Sequence, residues 1–423
     1  MLEQDAQRSL HACEGVGLEA LAQREGTPLY VYSTEAIRSR LDALQTALQG
    51  LDAGICYAVK ANSNGAVLKL LGDMGAGADI VSGGELRRAL LAGIPADRIV
   101  FSGVGKSADE IEQALDAGVA RFNLESRAEL DLLQTLASKR GVIARASVRI
   151  NPDVDAMTHA KISTGKSENK FGVSIDEARK WFDKHARWPA VQLDGLHMHI
   201  GSQILSIEPI RQALQRMAAL WRELDTAGHN IASIDVGGGL GVRYREGDQA
   251  ISAEAYVAEI RHALAGFKGR ILLEPGRWLL AEAGILLSRV LLVKHGEARR
   301  FLVLDAAMND LLRPSLYDAW HDIVRVGENG EPRPLVTYDV VGPVCETGDT
   351  FAVARDLPQC DAGELVAILG VGAYGASMAS SYNSRPLAAE VLVDGDRYAV
   401  VRRRQTFDEM IVGEQPANDW KQA

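Results

Sequence analysis

The chain has 423 residues, of which 47% are hydrophobic and 24% charged, an ordinary composition for a folded protein with a sizeable core. Lysine and arginine number 46 against 56 aspartates and glutamates, and the resulting net charge of −10 argues against a nucleic-acid-binding surface. These values exclude a mainly disordered chain, and they predict no nucleic-acid partner. The length accommodates two or three domains, or a large barrel with a smaller domain.

The sequence carries no signal for export or for membrane insertion. The first residues are polar and charged from the third position onward, which predicts no export signal. The longest uncharged stretch, 365–384, is rich in Gly, Ser and Asn and does not supply the roughly 20 apolar residues of a spanning helix. The four cysteines lie far apart without a C-x-x-C pair, which indicates reduced thiols rather than a zinc site. We expect a cytoplasmic protein without a membrane segment.

Strand and helix patterns alternate through the first two thirds of the chain, after a strand-like run at 27–33 and a helix at 34–48. The candidate strands are 55–59, 78–81, 98–102, 121–124, 145–150, 193–199, 233–236 and 270–274. The helical patterns between them are 66–74, 84–92, 107–117, 126–139, 175–185, 207–226 and 253–265. Eight such strands are the number that a closed (β/α)8 barrel requires.

After about residue 280 the pattern changes to strand-like runs without long helices, which predicts a second, all-β domain. The run at 27–33 precedes the first barrel helix, so we expect it to pair with that β-domain. The predicted fold class is α/β, with a (β/α)8 TIM barrel and a C-terminal all-β domain that takes in an N-terminal strand. The expected boundaries are 1–33, 34–280 and 281–423.

Polar or glycine-rich clusters follow most of the candidate barrel strands, at the edge where barrel enzymes build their active sites. They are Lys60-Ala61-Asn62, Ser82-Gly83-Gly84-Glu85, Asn151-Pro152, His199-Ile200-Gly201-Ser202, Gly237-Gly238-Gly239 and Glu274-Pro275-Gly276-Arg277. One ligand across the barrel mouth could contact most of these clusters.

Lys60 ends the apolar run CYAVK, where burial is expected to lower the pKa of its amine. A neutral amine can form a Schiff base, although a surface lysine at a strand end is the commoner case. His197 and His199 share one side of a strand, a spacing that suits metal ligands, but no further cluster completes a metal shell and none is predicted. The alternatives are core histidines, or a His199 ring stacked on a planar cofactor with His197 in support.

The run DVGGGLG ends a strand in Gly237, Gly238 and Gly239, whose N–H groups could approach a phosphate, although a tight turn without a ligand is equally compatible. Glu274 could pair with a protonated ring nitrogen, or form a structural salt bridge with Arg277. A lysine, a glycine turn, a stacking histidine and this glutamate together describe a pyridoxal-phosphate site.

Further candidates lie in the C-terminal third. Cys345 next to Glu346 at a strand end could donate protons, although a buried inert cysteine is the commoner case. Arg313 and Tyr317 are four residues apart, so they could present a cation and a hydroxyl to a carboxylate. Tyr374 precedes the GASMASS stretch.

The chain resembles the diaminopimelate decarboxylase family, within the alanine-racemase-like (fold type III) pyridoxal-phosphate enzymes, over nearly its whole length. The segments that carry the resemblance are YAVKAN, SGGEL, ISTGKSENKFG, GLHMHIGSQ, DVGGGLG, EPGR, MNDLLRPSLYDAWH, VVGPVCETGD and GAYGASMASSYNSRP. Of these, ISTGKSENKFG, MNDLLRPSLYDAWH and CETGD look specific to this branch, whereas several others are shared with ornithine and arginine decarboxylases.

The resemblance implies that the chain converts meso-2,6-diaminopimelate at its D-centre to L-lysine and CO2, the last step of lysine biosynthesis. It implies that Lys60 forms the Schiff base with pyridoxal 5'-phosphate, that His199 stacks on the ring and that Glu274 binds the pyridine nitrogen. The phosphate would lie on the glycine turn, and Cys345 would protonate the carbanion. The implied substrate contacts are Arg277, Arg313, Tyr317, Glu346 and Tyr374, with Arg277 as an alternative phosphate contact. The further cofactor contacts are Gly276, Arg277 and Tyr374.

The resemblance also implies a homodimer in which the Cys345-Glu346 loop of one subunit completes the site of the other. The closest alternative is another fold type III decarboxylase, acting on ornithine, arginine or carboxynorspermidine. The distal end of ornithine carries an ammonium and no carboxylate, and a buried Arg313 would repel it. Arg313 therefore favours a substrate whose distal end also carries a carboxylate. A non-catalytic cofactor carrier and a racemase are further alternatives, and intact Lys60, Cys345 and Glu346 argue against the carrier.

Overall fold

The computed structural model describes residues 9–156, 170–245, 247–327, 333–417 and 420. The chain divides into two compact units, each continuous in space but not in sequence. The first comprises Met1–Ser33, Gly284–Val371 and Met378–Ala423, and the second comprises Thr34–Ala283 and Gly372–Ser377. We refer to them as the β unit and the barrel unit.

Strands and helices alternate through the barrel unit, and strands dominate the β unit. The strands of the described residues are β1 (Ser9–Leu10), β2 (Ala12–Cys13), β3 (Val16–Gly17), β4 (Leu29–Ser33), β5 (Ala53–Ala58), β6 (Gly77–Ile80), β7 (Ile99–Phe101), β8 (Arg121–Leu124), β9 (Ala144–Arg149), β10 (Val191–His197), β11 (Ser233–Asp235), β12 (Arg270–Leu273), β13 (Gly284–His295), β14 (Arg300–Leu304), β15 (Ile323–Val326), β16 (Leu335–Val341), β17 (Thr350–Pro358), β18 (Leu365–Leu369), β19 (Ala389–Asp394) and β20 (Arg397–Arg402). The α-helices are α1 (Leu18–Glu25), α2 (Thr34–Ala47), α3 (Gly65–Asp73), α4 (Gly83–Leu91), α5 (Ala108–Ala117), α6 (Arg127–Arg140), α7 (Ile175–Asp183), α8 (Ile207–Thr226), α9 (Ala253–Ala263), α10 (Arg277–Leu280), α11 (Arg313–Tyr317) and α12 (Phe407–Ile411).

Strands β5 to β12 form a closed barrel in which every neighbouring pair is parallel, and β12 pairs with β5 to close it. This confirms the predicted (β/α)8 barrel. The strands are short and almost wholly buried, because helices cover them from outside and side chains fill them from inside.

Most of the barrel helices that follow these strands have a serine at the N-cap position. Each accepts a hydrogen bond from a backbone N–H of the first turn, as an N-cap does, and the caps are Ser82, Ser107, Ser126, Ser174, Ser206 and Ser252. A strand, a short loop and a capped helix therefore repeat around the barrel. Functional side chains can lie on the loops that follow the strands.

The β unit is built on a ten-stranded sheet with the order β1-β15-β18-β13-β14-β16-β17, to which β4, β19 and β20 are added. Strand β4 pairs antiparallel with β13 and parallel with β19. The N-terminal strand therefore joins the C-terminal β-domain, as predicted. Its buried Leu29 and Val31 pack with Ile285, Leu287 and Val391 in the core of this unit.

The segment Gly372–Ser377 belongs to the barrel unit. The sequence analysis had placed it in the β-domain, within 281–423. The Tyr374 N–H donates to the Ala61 carbonyl at 2.7 Å, and the Gly372 N–H donates to that of Ala281 at 3.1 Å. The Asn62 amide also donates to the Gly372 carbonyl at 3.2 Å. These bonds place Tyr374 beside Lys60, the residue between Val59 and Ala61.

None of the helices in the described part of the chain is long and apolar enough to cross a membrane.

One buried acid of the β unit makes stability depend on pH. Asp310 is 1% exposed, and burial raises its pKa from 3.8 to about 6 although its carboxylate accepts the Ala307 N–H. Between these pH values the folded chain binds more protons than the unfolded chain, so stability falls as pH rises through the interval.

We expect Asp310→Asn to remove this dependence. Going from pH 4 to pH 7, the wild-type chain should lose up to about 3 kcal/mol relative to the variant, because the rise in the pKa of this carboxyl corresponds to that energy. Urea unfolding of both proteins at the two pH values measures the difference. Parallel pH dependence in the two proteins would contradict the prediction.

Candidate active site

Titratable side chains converge at the C-terminal ends of the barrel strands. Asp79, His197 and Asp235 lie in β6, β10 and β11, Glu274 follows β12, and Lys60 lies in the turn after β5. The first three are completely buried, and Glu274 is 4% exposed. We call these five residues the strand-end cluster. The barrel register brings them together, since it pairs His197 with Asp235 and sets Ala58, two residues before Lys60, opposite Asp79.

The Lys60 ammonium lies 3.2 Å from a carboxylate oxygen of Asp79. Burial opposes the charge on Lys60, but the carboxylate of Asp79, with Tyr374 and Glu274, outweighs burial and raises the pKa above its ordinary value. The expectation that burial lowers this pKa was therefore wrong, because sequence analysis did not identify Asp79 as the partner. The pKa of Asp79 is itself raised by its burial and by the charge of Glu274, so the pair can share a proton.

Glu274 is the most heavily hydrogen-bonded carboxylate of the cluster. One oxygen lies 3.1 Å from His197 Nε2, and the other accepts from the Ser102 hydroxyl at 3.3 Å and the Asn123 amide at 3.2 Å. Burial works against the charge, but His197, Lys60 and His199 lower the pKa of Glu274 well below its usual value. The structure therefore holds an ionised carboxylate inside the barrel.

A group of metal-ligand type does form here, although the sequence offered none. Ligand atoms of His197, Asp235 and Glu274 all lie within 4.8 Å of one another. However, burial and the charge of Glu274 raise the pKa of Asp235 well above its ordinary value, and one Asp235 oxygen accepts the Gly237 N–H at 2.9 Å. These conditions favour a neutral acid in a hydrogen-bonded network over a charged metal ligand.

His199 is held as a neutral ring. Its Nδ1 accepts the Gly238 N–H at 3.2 Å, and burial together with the charges of Lys60 and Arg149 lowers its pKa to about 3. The proton of the neutral ring is therefore on Nε2. A flat, uncharged imidazole beside the glycine turn is the type of surface on which an aromatic ring can stack.

The glycine turn, Gly237 to Gly239, packs directly against the backbone of two neighbouring strand ends. A side chain larger than that of glycine would collide with this backbone. A Cβ on Gly237 or Gly238 would lie 2.2 Å from a backbone oxygen, of Met198 and of Glu274 respectively, and one on Gly239 would lie 2.5 Å from the Gly201 oxygen. Gly276 is similarly close to two alanines, since its Cβ would lie 3.0 Å from Ala58 and Ala61. Such close packing lets backbone N–H groups come near an anion.

Arg277 places a largely buried cation at the same end of the barrel. Its guanidinium donates to the Tyr244 hydroxyl at 2.7 Å and to the Ser202 hydroxyl at 3.1 Å, and it lies 4.8 Å from the Tyr374 ring centre. Ser202 follows Gly201, whose oxygen packs against Gly239. Arg277 and the glycine turn are therefore neighbours.

The remaining predicted residues lie in the β unit. Arg313 is buried in α11, which Tyr317 ends, while Cys345 and Glu346 are exposed in the loop after β16. The Ser315 hydroxyl of α11 donates to the Gly348 carbonyl at 2.5 Å, so the helix and the loop are fastened together.

Two further residues fix the 345–349 loop. The buried carboxylate of Asp349 accepts the N–H groups of Met308 at 2.6 Å and Val344 at 2.7 Å. From the other side, the Asn383 side chain accepts the Cys345 N–H at 3.3 Å. Asn383 has a left-handed backbone, with φ at 55°, which is an unfavourable conformation tolerated best by Asn and Gly.

Sequence reasoning missed Asp79, Asp235, Ser102 and Asn123. Each lies inside or directly after a short apolar strand run, and a polar residue in such a run was the available signal.

Of the loop at 161–172, residues 161–169 lie outside the described residues. Its end is held in place, because the Gly172 N–H donates to Glu125 at 3.1 Å and Glu125 pairs with Arg149 at 2.8 Å.

Comparison with known proteins adds to this geometry. The family model described as pyridoxal-dependent decarboxylase, pyridoxal binding domain, matches residues 34–281. The diaminopimelate decarboxylase of Pseudomonas aeruginosa is 49% identical over 402 residues, covering 95% of this chain and 96% of the relative. That of Aquifex aeolicus is 46% identical over 398 residues, with 94% of each chain covered.

A solved structure supports the same relationship. The crystal structure of Helicobacter pylori diaminopimelate decarboxylase complexed with L-lysine matches with a TM-score of 0.91 at 45% sequence identity, covering 94% of this chain and 99% of that chain. Sequence and structure agree along almost the whole length. The chain belongs to the diaminopimelate decarboxylase family of pyridoxal-dependent decarboxylases.

Proposed function

We propose that the chain uses pyridoxal 5'-phosphate to decarboxylate meso-2,6-diaminopimelate at its D-centre, which gives L-lysine and CO2 in the last step of lysine biosynthesis. The observation that carries the proposal is the buried, triply hydrogen-bonded Glu274 in the same strand-end cluster as Lys60, in a chain 46–49% identical to curated diaminopimelate decarboxylases. The identity supports the substrate, and the strand-end cluster supports the chemistry.

The residues of the barrel unit fit pyridoxal phosphate by the chemistry of their donors. Lys60 offers an amine for the cofactor aldehyde, and the ionised Glu274 offers an acceptor for a protonated pyridine nitrogen. The turn of Gly237, Gly238 and Gly239 can hold the phosphate, with the Gly239 N–H as donor, because the Gly237 and Gly238 N–H groups already donate to Asp235 and His199. The His199 side chain offers a neutral ring surface. When bound, pyridoxal phosphate supplies an electron sink for the electron pair left by departing CO2.

Proton handling follows from the protonation states of the cluster. Lys60 must lose a proton before its amine can react, and Asp79, with a raised pKa and 3.2 Å away, is the acceptor beside it. Glu274 keeps a proton on the ring nitrogen because His197, Ser102 and Asn123 hold its carboxylate in place. Arg277, tied to Ser202 next to the glycine turn, binds the phosphate in this proposal, and a substrate carboxylate is its alternative ligand.

The β unit supplies substrate recognition and the final proton. Arg313 binds the distal carboxylate of the substrate and Glu346 its distal ammonium, with the hydroxyls of Tyr317 and Tyr374 as further contacts. The Cys345 thiol gives its proton to the α-carbon after CO2 has left. The repulsion between the buried Arg313 and a distal ammonium disfavours ornithine.

We further propose a cytoplasmic homodimer in which the Cys345-Glu346 loop of a second copy completes each site. The exposure of Cys345 and Glu346 in the single chain supports a role at a surface that another chain covers. The four cysteines are free thiols, which supports a reducing compartment.

The direct test is release of lysine and CO2 from meso-diaminopimelate with added pyridoxal phosphate, run beside L,L-diaminopimelate, ornithine and arginine. Selective turnover of the meso form is the expected result. Bound cofactor without CO2 release from any of these substrates would contradict the proposed function.

Lys60→Ala should lower kcat by at least about a thousandfold, because no other amine of the cluster can replace it. The matched control is Lys69→Ala, which removes an exposed lysine of α3 paired with Asp73 at 2.9 Å. Lys69→Ala should leave turnover unchanged. Comparable activity of Lys60→Ala and wild type would exclude Lys60 as the reactive amine.

Cys345→Ala should lower kcat about a hundredfold or more, the usual contribution of a general acid, while the visible absorbance of bound cofactor stays unchanged. Cys13→Ala, in β2, is the control that should retain full turnover. An unchanged kcat in Cys345→Ala would exclude Cys345 as the proton donor.

The shared site can be tested with the same two variants. Co-refolded Lys60→Ala and Cys345→Ala chains should recover about a quarter of wild-type activity, because random pairing makes half the dimers mixed and each mixed dimer has one intact site. No recovery beyond the separate variants would show that both residues act within one chain.

A further inference from the structure

His321 lies directly beside Arg313 in the β unit. It ends the motif MNDLLRPSLYDAWH, in which sequence analysis assigned roles only to Arg313 and Tyr317. His321 is 1% exposed and Arg313 is 5% exposed. The two side chains meet at 2.7 Å, between Arg313 Nη1 and His321 Nε2, and His321 Nδ1 lies 2.8 Å from the Leu369 carbonyl oxygen.

These two contacts determine the tautomer of His321. A guanidinium can only donate a hydrogen bond and a carbonyl oxygen can only accept one. His321 Nε2 must therefore be the unprotonated acceptor and Nδ1 must carry the proton. The ring is neutral in this arrangement and is held at both ends, by Arg313 on one side and by the end of β18 on the other.

The backbone brings His321 back to Arg313. Asp318 caps the C-terminus of α11 in a left-handed conformation with φ at 50°, and its N–H donates to the Arg313 carbonyl. The Leu369 N–H donates to the Asp322 carbonyl at 2.8 Å, and Arg355 donates to the His321 carbonyl at 3.0 Å. The main chain around His321 is therefore held by hydrogen bonds that do not involve the His321 side chain.

We infer that His321 is a positioning residue that sets the direction of the Arg313 guanidinium toward the distal carboxylate of the substrate. The inference rests on the proposed function, in which Arg313 binds that carboxylate. A guanidinium recognises a carboxylate with a planar fork, so affinity depends on the plane in which the fork is held. Because the acceptor in this bond is a neutral imidazole, the bond orients Arg313 without neutralising its charge.

The test compares His321→Ala and His321→Gln with wild type, using meso-diaminopimelate turnover and inhibition by two ligands. L-lysine keeps the distal amino-acid end of the substrate, whereas 1,5-diaminopentane has the same chain without a carboxylate. His321→Ala should raise both the KM for substrate and the inhibition constant of L-lysine about tenfold to a hundredfold, the effect of a lost hydrogen bond to a charged group. The inhibition constant of 1,5-diaminopentane should stay within about threefold of wild type.

His321→Gln should restore both constants to within about threefold of wild type, because one amide can accept from Arg313 and donate to Leu369. In all variants the kcat and the visible absorbance of bound cofactor should change little, since Lys60 and Glu274 are untouched. His295→Ala, an exposed histidine at the end of β13, is the matched control with unchanged constants.

Each outcome has a defined meaning. Unchanged KM and lysine inhibition in His321→Ala, or equal weakening of L-lysine and 1,5-diaminopentane, would overturn the positioning role. Failure of His321→Gln to restore lysine inhibition would overturn it as well. A wild-type protein that does not turn over meso-diaminopimelate would instead overturn the proposed function.

Discussion

An ionised carboxylate enclosed by a β-barrel is costly unless its charge is compensated, and Glu274 is such a group. The compensation comes from separate parts of the barrel: His197 ends β10, Ser102 follows β7 and Asn123 lies in β8. Only a closed, correctly registered barrel brings these groups to one point. The charge of Glu274 in turn affects its neighbours, because it contributes to raising the pKa of both Asp235 and Lys60.

The barrel, the N-terminal strand of the β unit and several positions of the candidate site could be predicted because strand runs and their ends are marked in the sequence. Lys60, the glycine turn and Glu274 each follow an apolar run directly, and parallel strands of a barrel end at one face. Asp79 and Asn123 were not predictable in the same way. They lie inside strand runs, and only the pairing register decides which strand residues meet in the interior.

The pKa of Lys60 shows what is lost without that register. Burial alone lowers the pKa of an amine, which is the effect that a sequence pattern suggests. The observed direction is opposite because Asp79 lies on β6, the strand paired with β5, close to the Lys60 ammonium. The two residues are 19 positions apart in the chain, so a local sequence pattern does not show that they meet. In the β unit, the contacts of Asn383 with Cys345 and of His321 with Leu369 are equally invisible from local sequence. Loop and turn geometry, rather than periodicity, creates them.

In the proposed function, the cofactor contacts and the substrate contacts come largely from different compact units of the chain. The pyridoxal-binding family model spans 34–281, so it contains the whole strand-end cluster but none of Arg313, Cys345 and Glu346. The matched segment therefore contains the proposed cofactor contacts and leaves the proposed contacts to the distal end of the substrate outside it. Helix α11 and the 345–349 loop are short, fastened to each other, and outside the barrel core. Under the proposed function, substitutions in these two segments would change which amino acid is bound while the hydrogen-bonded charge of Glu274 inside the barrel stays unaltered.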